Sequence, residues 1–131
     1  MKKFDVQTGS KEVFVDITGQ VEGEVKRAGI KSGVCVVYVP HTTAAVTINE
    51  NADPSVRQDI VMTLRKSVPD SLPYAHTEGN SPAHVKSSLV GTSITIPIED
   101  GRLALGTWQG IFFCEFDGPR LRQVYIKIIP S

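Results

Sequence analysis

The sequence predicts a single α+β domain over residues 1–131: an antiparallel β-sheet or sandwich with two longer helices and one short one. Three observations predict it. Short alternating or β-branched runs recur between turn residues in both halves of the chain. Two segments, after Thr18 and after Asp53, place apolar residues at helical spacing. No internal repeat, linker or low-complexity stretch divides the chain.

Lys3–Thr8 and Lys11–Thr18 each alternate apolar and polar residues, and Thr8-Gly9-Ser10 between them predicts a hairpin turn. Thr18 is positioned to cap a helix over Gly19–Ala28, with Val21, Val25 and Ala28 on one face and Gly29 as its stop. Gly33–Val39 is apolar and β-branched, the pattern of a strand covered on both faces, and Pro40 ends it. Thr43–Asn49 reads as a second strand paired beside the first.

Asp53-Pro54 then starts a helix, Asp as N-cap and Pro in the first turn, with Val56, Ile60, Val61 and Leu64 at helical spacing to about Lys66. Pro69-Asp70 and Pro73 break the chain, and an ordered loop runs to about Ser81. Pro82 begins a short helix through Leu89, with His84 in its first turn. Thr92–Ile98 alternates, Glu99-Asp100-Gly101 is a hairpin turn, and Arg102–Gly106 returns. Ile111–Phe116 and Leu121–Ile129 flank Asp117-Gly118-Pro119, read as another hairpin turn.

Composition narrows the function classes. Fourteen basic and fourteen acidic residues cancel, and no basic block or RNA-binding signature gives nucleic acid support. Two N-terminal lysines precede no continuous apolar stretch, so a signal peptide is not expected, and no run is long enough for a membrane helix. Cys35 and Cys114 fall in apolar runs without a neighbouring basic group, as buried free thiols do; a cytoplasmic protein is expected.

The chemistry gathers in two polar segments that hold all three histidines. His41 opens the first, at a strand start after a proline; His76 and His84 bracket the second, a shaped loop containing Glu78, Gly79, Asn80 and Pro82. Converging neutral imidazoles with a carboxylate or water would suit Zn²⁺ or a similar divalent ion. Thr42 and Thr43 offer hydroxyls, Lys86 a point charge, and the helix starts at Asp53 and Ser81 free N–H groups, together a set for binding a phosphorylated small molecule. On a helix, however, His84 and Lys86 do not share a face.

Glu50 follows a strand end and caps no obvious helix, which marks it as a candidate general base or metal ligand, with Asn49 and Asn51 to orient it or to serve as turn residues. Trp108, between Gly106 and Gly110, either stacks on a ligand or fills a core or subunit interface, and Gln109 is a candidate amide reader. Glu115, a charge in an apolar strand, either faces solvent or supports a histidine.

HTTAAVTINENADP, PAHVKSSLVG and GRLALGTWQGIFFCEFDGPR, in that order, resemble the YjbQ family of small proteins from about Val13 to Ile129. The resemblance implies a compact α+β sandwich that assembles as a homotrimer. It also implies a secondary thiamine-phosphate synthase activity, which joins a pyrimidine methyl diphosphate to a thiazole phosphate. The matching positions are His41, Thr42, Asn49, Asn51 and Asp53, then His76, His84 and Lys86, then Gly106, Trp108, Gln109 and Gly110. Taking residue chemistry and resemblance together, an enzyme is expected in which His41, His76 and His84 hold a divalent metal ion, Zn or Mg, and His84, Glu50 and Lys86 are catalytic. Thr42, Thr43, Asn49, Asn80, Trp108 and Gln109 bind substrate. The chain departs from the family where many members have an acidic residue just before PAH; here Gly79-Asn80-Ser81 stands, so Glu78, Glu50 or water must serve instead. A metal-dependent hydrolase and a non-catalytic binding module for a phosphorylated metabolite use the same residue types.

Overall fold

The structure, a computed structural model, describes all 131 residues. Strands β1 (Lys2–Gln7), β2 (Val13–Asp16), β3 (Gly33–Tyr38), β4 (Ala44–Glu50), β5 (Ser93–Glu99), β6 (Arg102–Leu103), β7 (Gln109–Glu115) and β8 (Leu121–Pro130) are interleaved with helices α1 (Thr18–Ala28), α2 (Pro54–Ser67) and α3 (Ser81–Val90). The strands form two antiparallel sheets, β1-β8-β3-β5-β6 and β2-β7-β4. The expected α+β domain is present, and no helix is long and apolar enough to cross a membrane.

Alternation along the strands builds two cores. Between the sheets lie Val6, Cys35, Val37, Val46, Ile96, Ile111, Phe113, Val124 and Ile126, and Val21 and Val25 of α1 join them. On the other face of the small sheet, Phe14, Ala45, Phe112, Cys114 and Phe116 pack beneath Ile60, Val61 and Leu64 of α2 and Ala83 of α3. Strand β7 is therefore covered on both faces, which accounts for the unbroken apolar run IFFC. Each fully buried phenylalanine there contributes about 1.5–3 kcal/mol relative to exposure.

Three strand pairings differ from the sequence expectation. Strands β1 and β2 are not a hairpin: β1 pairs with β8 and β2 with β7, so Thr8–Ser10 carries the chain between sheets. Strands β3 and β4 do not pair either, because β8 and β5 occupy both edges of β3 while β4 pairs with β7. Likewise Asp117-Gly118-Pro119 is a crossing between sheets, not a hairpin turn. Turn residues fix a local reversal; which face each strand must bury fixes its partner. The β5–β6 hairpin forms as expected, with Asp100 at φ 52° and Gly101 at φ 77° in its turn, although the return strand is only Arg102–Leu103.

Helix starts follow side-chain chemistry. The Asp53 carboxylate accepts from the backbone N–H of Ser55 at 2.9 Å, capping α2 as expected. At α1 the N-cap position is Ile17, not Thr18, and no side chain caps the helix. Asp16 accepts from the Thr18 N–H at 2.9 Å and its hydroxyl at 2.6 Å, and the same hydroxyl accepts from the Ile111 N–H at 2.8 Å. Both cysteines are buried free thiols, and burial pushes the Cys35 thiol up to about 11. On the outward face of the five-stranded sheet, Val34, Val36, Tyr38, Tyr125 and Ile129 form an apolar patch on neighbouring positions of β3 and β8, interrupted by Lys127 opposite Val36.

Candidate functional site

The β3–β4 connection and α3 bring His41 and His84 to one cleft of about 500 Å³. Thr42, Ser87, Ser88, Gly91 and Thr92 complete its lining, which includes no hydrophobic residue. Two of its hydroxyls are oriented by the backbone: Ser87 donates to the Ala44 carbonyl at 2.6 Å and Ser88 to the His84 carbonyl at 3.1 Å. Their oxygen lone pairs remain free to accept. The first of these bonds also fastens α3 to β4, holding His84 opposite His41.

The His41 ring has a defined role in hydrogen bonding. Its Nε2 accepts from the backbone N–H of Gln123 on β8 at 2.9 Å. An accepting Nε2 requires a neutral ring with its proton on Nδ1. Burial and the positive charge of Arg122 both hold the ring below its ordinary pKa, favouring that neutral form.

His84 also lines a second, smaller cleft of about 270 Å³ with Tyr74, Ala75, His76, Ser81 and Val85. There the His76 and His84 rings meet edge to face, centroids 5.4 Å apart. His76 Nε2 stands 3.7 Å from a carboxylate oxygen of Glu78. His76 and His84 thus come together, and His84 shares a cleft with His41. The chain has no group of three or more His, Cys, Asp or Glu side chains placed to hold one ion.

Several other sequence candidates are engaged elsewhere. Lys86 is 3% exposed and its ammonium bonds Glu12 at 2.6 Å, on the face of α3 away from the cleft. Thr43 is buried, and its hydroxyl accepts from Arg122 at 2.9 Å. Asn80 precedes α3 and donates to the Asp117 carboxylate at 3.1 Å. Glu50 accepts from the Asp53 N–H at 3.2 Å, so it supports the start of α2 after all. Asn49 accepts from the Glu50 N–H at 2.7 Å, and Gln109 from the Gly106 N–H at 2.8 Å. Trp108 is 64% exposed.

Glu50, Asn49, Trp108 and Gln109 lie at the far end of β4 and β7. The length of β4 separates them from His41, on the order of 20 Å at about 3.3 Å per residue. One chain does not unite Glu50 with His84.

Beneath His41 is a network in which Glu115 and Thr43 stand out in the sequence but Arg122 and Thr8 do not. Glu115 is wholly buried, neither facing solvent nor touching a histidine. It pairs side-on with Arg122, accepting from Nε on one carboxylate oxygen and from Nη2 on the other, and accepts from Thr8 Oγ1 at 2.8 Å and from the N–H groups of Phe116 and Asp117 at 3.1 and 3.0 Å. Burial alone would raise its pKa, but the Arg122 bond and those from Asp117 and Thr8 outweigh it and hold the carboxyl below its usual range. The signal for Arg122 is its register: in LRQVYIKII it occupies the same face as Val124 and Ile126, so it needed a buried anion. Ser87 and Ser88 are visible too, as two poor helix formers in the middle of a helix.

The sequence model of the family described as UPF0047 protein YjbQ-like matches residues 2–131. The chain belongs to this family. Among UPF0047 relatives, one from Methanocaldococcus jannaschii is 55% identical, covering 97% of this chain and 92% of its own. YugU of Bacillus subtilis is 48% identical over 98% of both. A YjbQ/UPF0047 crystal structure from Clostridium acetobutylicum superposes with a TM-score of 0.97 at 52% identity, covering 98% of this chain and all of the other. A Sulfolobus solfataricus member of unknown function, at 34% identity, retains a TM-score of 0.95 over 99% of this chain and 96% of its own.

Proposed function

We propose that this chain is a small-molecule phosphate-handling enzyme of the thiamine-phosphate synthase type. The observation that carries this reading is the His41–His84 cleft, whose lining is imidazole, hydroxyl and backbone with no hydrophobic side chain. Neutral His41 has one free polar atom, the Nδ1–H donor, and Thr42, Ser87, Ser88 and Thr92 add hydroxyls suited to phosphate oxygens. In the reaction the thiazole nitrogen attacks the pyrimidine methylene carbon. The C–N bond forms as the C–O bond breaks, and pyrophosphate leaves with the bonding electrons. Such a displacement needs positioning and charge stabilisation more than covalent help.

No lysine or arginine lines the cleft, so leaving-group charge falls to a protonated His84 or to a divalent ion. His76 and His84 are the residues that would hold an ion, with Glu78 beside them. One chain supplies too few groups for a complete tetrahedral site, so the phosphate itself, water or another subunit would complete it. The apolar patch that β3 and β8 present on the outer face of the large sheet supports assembly into a homotrimer. In a trimer, clefts between subunits can unite segments that one chain keeps apart, and exposed Trp108 is a candidate for such a cleft. Two buried free thiols support a cytoplasmic location.

The test is incubation with the two precursors and chromatographic detection of thiamine phosphate. Product that disappears in His84→Ala and falls in His41→Gln supports the proposal. Thermal stabilisation by the precursors without product identifies a binding module, and hydrolysis of phosphate esters without coupling identifies a metal-dependent hydrolase.

A further inference from the structure

A second groove lies away from the histidine cleft, between α2 and the edge strand β2. Strand β2 pairs with β7 alone. The bond from the Ile17 N–H to the Ile111 carbonyl, 2.9 Å, sets the phase of that ladder. Val13 and Val15 therefore turn their backbone groups toward β7, and Glu12, Phe14 and Asp16 turn theirs outward. The backbone N–H and C=O groups of those three residues have no partner in the chain. An open edge of this kind is a template for another strand unless it is covered.

The groove beside this edge has a volume of about 570 Å³. Val13 and Phe14 form one wall, and Arg57, Val61, Met62 and Arg65 of α2 form the other. The charge on that second wall is one-sided. Arg57 stacks over the Phe112 ring, 5.2 Å from its centroid; no carboxylate contacts it directly, and its charge reaches Asp16 only through space. Arg65 bonds Glu12 at 3.0 Å, but that carboxylate is already shared with Lys86. Met62 is 43% exposed and adds an apolar floor next to the two guanidinium groups.

We propose that this groove receives an extended acidic polypeptide segment, which adds a strand to the open edge of β2 and sets its carboxylates against Arg57 and Arg65. Main-chain bonds to Phe14 and its neighbours supply affinity, and alternate side chains facing α2 supply selectivity. Those side chains meet Val61 and Met62 as well as the arginines, so the segment alternates carboxylate with aliphatic residues on that face.

The probe is a short fluorescein-labelled peptide repeating Glu-Thr-Val-Thr, titrated with the intact protein by fluorescence anisotropy. Saturable binding is expected, with no binding of the matching Lys-Thr-Val-Thr peptide. Arg57→Gln and Met62→Glu, both at exposed positions of α2, should each weaken binding at least about tenfold while thermal stability is retained. N-methylation of the peptide at every second amide separates strand addition from charge attraction. One of the two frames should lose at least about tenfold in affinity and the other should not. Equal effects in both frames, or no binding of the Glu-Thr-Val-Thr peptide at low salt, would overturn the proposal. So would an oligomer in which a second copy of this chain occupies the β2 edge and excludes the peptide.

Discussion

The backbone N–H of Gln123 donates to Nε2 of His41 at 2.9 Å, which leaves Nδ1–H as the ring's only free polar atom. The tautomer is therefore written by the main chain of β8. Burial and Arg122 disfavour the imidazolium, so the folded ring resists a proton that the unfolded chain accepts near its ordinary value of 6.5. The sign follows from linkage: stability is unaffected above that value and falls as pH drops through it, levelling off below the depressed folded pKa. Melting temperature measured from about pH 8 down to about pH 5 should decline through this window. His41→Gln, which keeps an acceptor for Gln123 but does not titrate, should flatten that part of the profile.

Glu115 and Arg122 form a buried pair whose partners are all accounted for. Removing one member strands the other in the core. Arg122→Met is expected to cost about 3–5 kcal/mol in denaturant unfolding, because Glu115 and Thr43 Oγ1 both lose their donor. A double Arg122→Met, Glu115→Gln variant should recover part of that loss. The folded pKa of Glu115 is lowered, so its contribution is present above the ordinary value of 4.5 and is lost as pH falls below it. Wild-type protein should accordingly weaken in acid below that point, and the double variant less steeply.

Lys86 and His84 are two positions apart on α3 but face different surroundings. Lys86 is buried against Glu12, while His84 stands in both clefts. Lys86→Met should lower stability by about 1–3 kcal/mol, because Glu12 Oε2 loses its donor and the carboxylate keeps only Arg65. Binding of inorganic pyrophosphate, measured by calorimetry on folded protein, should be unchanged. His84→Ala should do the reverse: little change in melting temperature and a loss of pyrophosphate binding. The opposite pattern would return Lys86 to the site.

What the sequence made legible, and what it did not, divides along physical lines. Strand identities and the α2 cap were readable because alternation and Asp53-Pro54 are local. Pairing was not, because Thr8-Gly9-Ser10 and Asp117-Gly118-Pro119 look like hairpin turns while carrying the chain between sheets. The histidines stood out by type, and the fold does bring His76 to His84 and His84 to His41. Lys86 and Glu50 stood out equally, yet each satisfies a distant or unexpected partner, Glu12 for one and the Asp53 N–H for the other. A polar residue in a suggestive motif declares its chemistry, but only the fold reveals whether that chemistry is already engaged.

At the far end of the small sheet, Gly110 is opposite Asn49 and in contact with Asn51. A Cβ built on Gly110 would lie 2.4 Å from Asn51 Nδ2 and 2.7 Å from Asn51 Cβ. The second distance matters more, because Cβ moves only with the backbone. Asn51 is held there by its N–H to the Trp108 carbonyl at 3.1 Å and by its side chain to Asp16 at 3.3 Å. Gly110→Ala must therefore displace the β4 terminus, loosening both the Trp108 turn and the Asp16 contacts at the start of α1. The expected cost is about 1–3 kcal/mol by chemical denaturation. Hydrogen exchange should show faster opening at Asn51 and Thr18 and unchanged protection at Ile96 in the other sheet. Asn51→Gly in the same chain removes the obstructing side chain, and it should restore part of the stability that Gly110→Ala loses.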